Sequence, residues 1–258
     1  VISIKKEAVE NIPFLMAEKD ENAGKPLPLF IFIHGYTSAK EHNLHFAYTL
    51  AELGMRVLLP DMMHHGERLD AHSGKRNDYD FWNIVAQGIQ DVGVLVNWAK
   101  ENKLVYNEEI ALGGTSMGAI ITYGSLVKYP EINAAVALMG TPAHEAFAKW
   151  QIESIKKAGY KLPFSDEELT KTYEFLRSFD LTQNYEKLNK RPLFIWHSEV
   201  DQVVPYDFAK PFIESLIEQN KKSVYMNDKT SGHKVSRPAY LNAVEWVSEN
   251  IKKTKETV

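Results

Sequence analysis

The 258 residues are 44% hydrophobic and 25% charged, with 14 Gly and 11 Pro, the make-up of an ordinary globular protein and not of a disordered one. Thirty basic against 34 acidic residues leave a net charge of -4, with lysines scattered along the chain, which argues against nucleic acid as a partner. The absence of Cys excludes disulfides, thiolate metal sites and a cysteine nucleophile, and no apolar run approaches the roughly 20 residues that span a bilayer.

In chain order, two strands are predicted at 2–9 and 14–17, forming an antiparallel edge and followed by a polar turn from Glu21 to Pro26. Three buried-strand runs come next along the chain: Leu29 to Ile33 ends at His34-Gly35, Met55 to Leu59 at Pro60-Asp61, and Ile110 to Gly113 just before Ser116. Each delivers polar residues at a strand's carboxyl end, where open α/β sheets bind ligands, so the three loops should converge on one crevice. Helical patterns cover 41–53, 79–101, 117–128, 207–219 and 238–251, with further strands at 134–139, 193–196 and 223–226. The alternation predicts one α/β domain over 1–258, a mostly parallel sheet with helices on both faces. No secretory leader pattern opens the sequence, so a cytoplasmic location is expected.

One stretch breaks the alternation. From Thr141 to Arg191 there is no strand pattern, only helical periodicity rich in Phe147, Trp150, Tyr160, Phe164, Tyr173, Phe175 and Phe179. It reads as a small helical cap inserted between two strands; ordinary crossover helices are the alternative.

Gly114-Thr115-Ser116-Met117-Gly118 fits G-x-S-x-G. A strand pattern precedes it and a helix pattern follows, so Ser116 falls on a sharp strand-to-helix turn. Side chains at 114 and 118 would collide there, which accounts for the glycines. The turn holds Ser116 at a helix N-terminus, where the Met117 N–H can meet developing negative charge.

A serine hydroxyl needs a histidine to take its proton, and that histidine needs a third group to fix its tautomer. Of nine His residues, His233 lies between the last strand and the last helix, in the order nucleophile, acid, histidine. Asp201, on the loop after the preceding strand, is the candidate acid, with Glu199 and Asp207 as rivals. His34-Gly35-Tyr36 follows the neighbouring strand, and the Tyr36 N–H is the candidate second oxyanion donor. His34 either braces that loop or enters the substrate pocket, for which Phe147 and Trp150 are further candidates. Asp61, His64, His65, Glu67 and His72 invite a metal reading but lack a two-His helical spacing, so no metal and no cofactor are expected.

As a set, His34-Gly35-Tyr36-Thr37-Ser38, Pro60-Asp61 with His65-Gly66, Gly114 to Gly118, Trp196-His197 with Asp201 and Val204-Pro205, and Gly232-His233 resemble small bacterial carboxylesterases of the α/β-hydrolase superfamily. The branch is the one shared with dienelactone hydrolases and the prolyl oligopeptidase catalytic domain. The resemblance implies an α/β-hydrolase fold, a mechanism through Ser116, Asp201 and His233 with oxyanion donors at Tyr36 and Met117, no cofactor, and small esters with short acyl chains as substrates. Two departures stand out: many relatives have His-Gly where this chain has His197-Ser198, and dienelactone hydrolases use a cysteine nucleophile. Thioester or peptide cleavage by the same triad, and a non-catalytic ligand-binding role, are the alternative functions.

Overall fold

The computed structural model describes residues 1–69 and 78–251. Eight strands form one sheet: β1 (Ile2–Val9), β2 (Ile12–Lys19), β3 (Leu27–Ile33), β4 (Arg56–Pro60), β5 (Val105–Thr115), β6 (Ala134–Leu138), β7 (Leu193–Ser198) and β8 (Val224–Asp228), in the spatial order β1-β2-β4-β3-β5-β6-β7-β8. β1 and β2 pair antiparallel, β2 joins β4 antiparallel, and every later pairing is parallel. The central strands β4, β6 and β7 are buried along their whole length, so Val57 to Leu59, Ala134 to Leu138 and Leu193 to Trp196 read as apolar runs and not as alternating ones.

Helices cover both faces. One face packs under α1 (Leu44–Glu52) and α7 (Arg237–Ile251), where Phe32 stacks on Phe46 and Phe194 meets Trp246. The other packs under α2 (Phe81–Glu101), α3 (Met117–Lys128) and α6 (Lys210–Gln219). This is the α/β-hydrolase architecture that the motifs imply.

β2 and β5 outrun their sequence signal furthest, each for a physical reason. β2 continues through Glu18 because that carboxylate is buried against the Arg56 guanidinium, whose Nε donates to it at 2.7 Å. β5 starts at Val105 and carries Asn107 and Glu108 at φ 45° and 55°, a kink that breaks the regular pattern before Ile110.

The segment 141–191 lies between β6 and β7 and holds α4 (His144–Lys157) and α5 (Asp166–Arg177) with no strand. α5 opens on a capping box, Ser165 accepting from the Glu168 N–H while the Glu168 carboxylate accepts from the Ser165 N–H. Glu145 ties the two helices together. It accepts from Arg177 Nε and Nη2, both at 2.8 Å, from Lys149 at 2.7 Å and from Gln183 at 2.9 Å. Among the described residues no helix is long and apolar enough to cross a membrane.

Candidate active site

β5 ends at Thr115 and α3 begins at Met117, leaving Ser116 alone on the turn at φ 53°, ψ -116°. That backbone conformation is strained for any side-chain-bearing residue and persists because its surroundings fix it. The Ser116 N–H donates to the Leu138 carbonyl at 2.8 Å, and its own carbonyl accepts from Ile120 at 3.0 Å. A Cβ at Gly114 would sit 2.4 Å from the Gly118 backbone, and one at Gly118 only 2.1 Å from the Ile33 carbonyl oxygen. The glycines therefore let strand, turn and helix approach closely enough to present the hydroxyl.

His233 reaches Ser116 from the loop between β8 and α7. Its Nε2 lies 2.9 Å from Ser116 Oγ and its Nδ1 2.7 Å from Asp201 Oδ2. Asp201 can only accept, so Nδ1 carries the proton and Nε2 is left to accept from the serine hydroxyl. The other Asp201 oxygen accepts the N–H groups of Val203 at 2.9 Å and Val204 at 3.0 Å. Burial pushes the Asp201 carboxyl up, but hydrogen bonding from His197, His233 and the Val204 N–H outweighs it and holds the group well below the usual carboxylate range.

Two residues of β7 steady these loops. His197 is fully buried, and its Nε2 donates to the Val204 carbonyl at 2.8 Å, pinning the turn that carries Asp201. Ser198, also fully buried, accepts the Gly232 N–H at 3.1 Å and lies in register with Asp228 of β8. Of the rival acids, Glu199 is exposed and takes a hydrogen bond from Asn227, while Asp207 lies exposed on a short 3-10 turn.

Gly35 abuts the nucleophile, since a Cβ there would lie 3.5 Å from Ser116 Cβ, and Tyr36 lines the same cavity as Ser116. The Met117 N–H is the first of the helix N-terminal donors, which have no acceptor within their own helix. Of the two readings of His34, pocket entry does not fit the structure: the residue is fully buried and does not line the cavity. Its Nε2 accepts the Met62 N–H at 3.1 Å, which puts the proton on Nδ1, donating to the Gly35 carbonyl at 2.8 Å. The ring thus braces the loop because both of its nitrogens are committed to backbone.

The cavity above Ser116 encloses about 450 Å³. Phe147, Trp150, Phe164 and Tyr173, from the segment between β6 and β7, form much of its wall, and the Phe147 and Trp150 rings stack at 5.6 Å. Tyr160 and Phe175 of the same segment, 67% and 48% exposed, face solvent instead. Tyr79, Phe81 and Trp82 around the start of α2, not assigned to the site from the sequence, also line the cavity, with Trp82 packed on Phe147 and Tyr79 on Phe164. Three aromatics within four residues at a helix start are the signal that could have found them.

The carboxylate and imidazole cluster after β4 serves the scaffold. Asp61 is fully buried, pairs with Lys40 Nζ, and accepts the N–H groups of Lys40 at 3.0 Å and Glu67 at 2.9 Å. His65 Nδ1 bonds the Met63 carbonyl at 2.8 Å, and His72 lies outside the described residues.

The sequence pattern of the prolyl oligopeptidase family matches residues 43–254. The chain is 41% identical to the "Putative esterase YitV" of Bacillus subtilis (strain 168), over 95% of this chain and 98% of that one. It is 28% identical to "Esterase YjfP" of Escherichia coli (strain K12), over 97% of this chain and 100% of that one. Among solved structures, TT1662 from Thermus thermophilus superposes with a TM-score of 0.75 at 17% identity, covering 98% of this chain and 99% of its own, a likeness of fold.

Proposed function

This chain belongs to the prolyl oligopeptidase family, and from that premise we propose that it is a serine carboxylesterase working through Ser116, His233 and Asp201. The observation that carries the reading is the unbroken relay from Asp201 through His233 to Ser116, with bonds of 2.7 and 2.9 Å, at the floor of an apolar cavity.

In the first half-reaction Ser116 Oγ attacks the ester carbonyl carbon while its proton passes to His233 Nε2. The carbonyl oxygen becomes an oxyanion facing the N–H groups of Met117 and Tyr36. As the tetrahedral species collapses, the carbon–oxygen bond to the alcohol breaks and His233 returns the proton to the leaving oxygen. In the second half-reaction His233 takes a proton from water, whose oxygen attacks the acyl-enzyme, and then gives that proton back to Ser116 as the acid departs. Ionised Asp201 stabilises the imidazolium in both halves.

The segment 141–191 acts as a cap over Ser116, since Phe147 and Trp150 belong to the cavity wall. Under it the acyl groups turned over are short, about two to four carbons. Ester is favoured over thioester or peptide because relatives sharing nearly the full length carry esterase names.

Turnover of matched ester, thioester and amide series tests the proposal. Short esters should be hydrolysed and Ser116→Ala should lower kcat by on the order of 10⁴ to 10⁶. Preferential amide or thioester cleavage by the native protein, or a Ser116→Ala variant as active as native, refutes it.

A further inference from the structure

The cavity above Ser116 is walled by flat, fixed aromatic faces. Phe147 stacks on Trp150 with an interplanar angle of 14°, and Trp82 meets Phe147 edge-on at 6.2 Å. The Trp82 indole N–H is already spent on Gln151 Oε1 at 2.9 Å, which holds that ring in place. Tyr36 and Phe81 meet edge-to-face at 5.6 Å beside the serine. Among the described residues that line this space there is no Asp, Glu, Lys, Arg or His.

Such a space selects its occupant in two ways. Among the described lining residues a charged group finds hydroxyls and amides, such as those of Thr172 and Asn83, but no opposite charge, so its entry is disfavoured. Fixed aromatic faces reward a ring, which packs against them in offset or edge-on geometry and loses little freedom on binding, unlike a linear chain. Size matters as well. A volume of about 450 Å³ is that of a site for a whole small molecule, and a short acyl group leaves most of it unfilled.

Resting on the proposed esterase reading and its short acyl group, we infer that the alcohol half of the substrate is uncharged and ring-bearing. The enzyme then hydrolyses short-chain esters of aromatic or alicyclic alcohols in preference to those of linear ones.

The test compares kcat/KM for acetates of unactivated primary alcohols with equal carbon number: benzyl, cyclohexylmethyl and n-heptyl. Beside them stand 4-carboxybenzyl acetate, 4-(trimethylammonio)benzyl acetate and methyl benzoate. Both ring acetates should exceed n-heptyl acetate by at least about tenfold, mainly through KM, and each charged ring ester should fall at least about tenfold below benzyl acetate. Trp82→Leu and Tyr173→Leu should shrink the benzyl-to-heptyl ratio; a poorly folded variant lowers both rates together, so the ratio remains readable. The inference is overturned if n-heptyl acetate matches the ring acetates, if either charged ester matches benzyl acetate, or if methyl benzoate is the better substrate, which would put the ring in the acyl half. If those results come with Ser116 still labelled by a fluorophosphonate, only the inference falls. If no ester is turned over and Ser116 is unlabelled, the esterase reading falls and takes the inference with it.

Discussion

The Ser198 hydroxyl oxygen accepts the Gly232 backbone N–H at 3.1 Å, one residue before the histidine that faces Ser116. Asp228, the β8 residue in register with Ser198, accepts the N–H groups of Thr230 at 2.8 Å and Ser231 at 2.7 Å. Ser198 therefore links the end of β7 to the loop that carries His233.

Ser198→Ala removes this link and leaves the Gly232 N–H without its partner. Stability should drop by about 1 kcal/mol. Because His233 loses its aim, kcat should fall by roughly tenfold to a hundredfold with KM little changed. Steady-state kinetics beside urea unfolding separate the two effects, and a stability loss with unaltered kcat would reduce Ser198 to a structural residue.

Gly118 offers a test in which helix propensity and packing have opposite signs. Ala in place of Gly within a helix ordinarily gains up to about 1 kcal/mol. Here the added Cβ would stand 2.1 Å from the Ile33 carbonyl oxygen, a backbone atom that cannot swing away. Gly118→Ala should instead destabilise by about 1 to 3 kcal/mol. A thermal midpoint equal to or above native would mean that α3 and β3 are not so closely packed.

Glu145 connects stability to pH. The Arg177 guanidinium, followed by Lys149, holds its carboxyl well below the usual carboxylate range. A depressed folded value means that the stabilisation is fully present above the unfolded value of about 4.3 and is lost as pH falls toward the folded one. Glu145→Gln should therefore cost about 2 kcal/mol at neutral pH, a difference that narrows progressively below about pH 4. Equal acid sensitivity of the two proteins in urea melts would contradict the linkage.

Activity should depend on pH through His233, because Asp201 stays ionised far below the usual carboxylate range. Imidazolium cannot accept the serine proton, so kcat/KM should rise with pH and not fall. Asp201→Asn keeps the shape but withdraws the charge and the correct tautomer, and should lower kcat by on the order of 10⁴. Rates that decline with rising pH over a range where the protein stays folded would exclude this role for His233.

The meeting of Ser116 with His233 is legible in the sequence because local sterics dictate the glycine pattern and chain order dictates the partner. Asp201 is harder to tell from Glu199 and Asp207, since the choice turns on the path of one loop, fixed here by the Val203 and Val204 N–H groups and by His197. For His34 the sequence leaves bracing and pocket entry both open, because the choice depends on the Met62 N–H, supplied by a loop after a different strand. The ends of β2 are hidden for a related reason: Glu18 looks like a terminator until the distant Arg56 is seen to neutralise it. The cavity is half legible. Phe147 and Trp150 stand out in a segment without strands, whereas Phe81 and Trp82 open an ordinary amphipathic helix and are assigned to the site only by its packing.

The most direct measurement of the central claim is covalent. The native protein, treated with a fluorophosphonate and digested, should show one modified peptide with the adduct on Ser116. Labelling should be abolished in Ser116→Ala and sharply slowed in His233→Ala, because the hydroxyl is nucleophilic only while His233 can take its proton. An adduct on another residue, or undiminished labelling of Ser116→Ala, would contradict the assignment of Ser116 as the nucleophile.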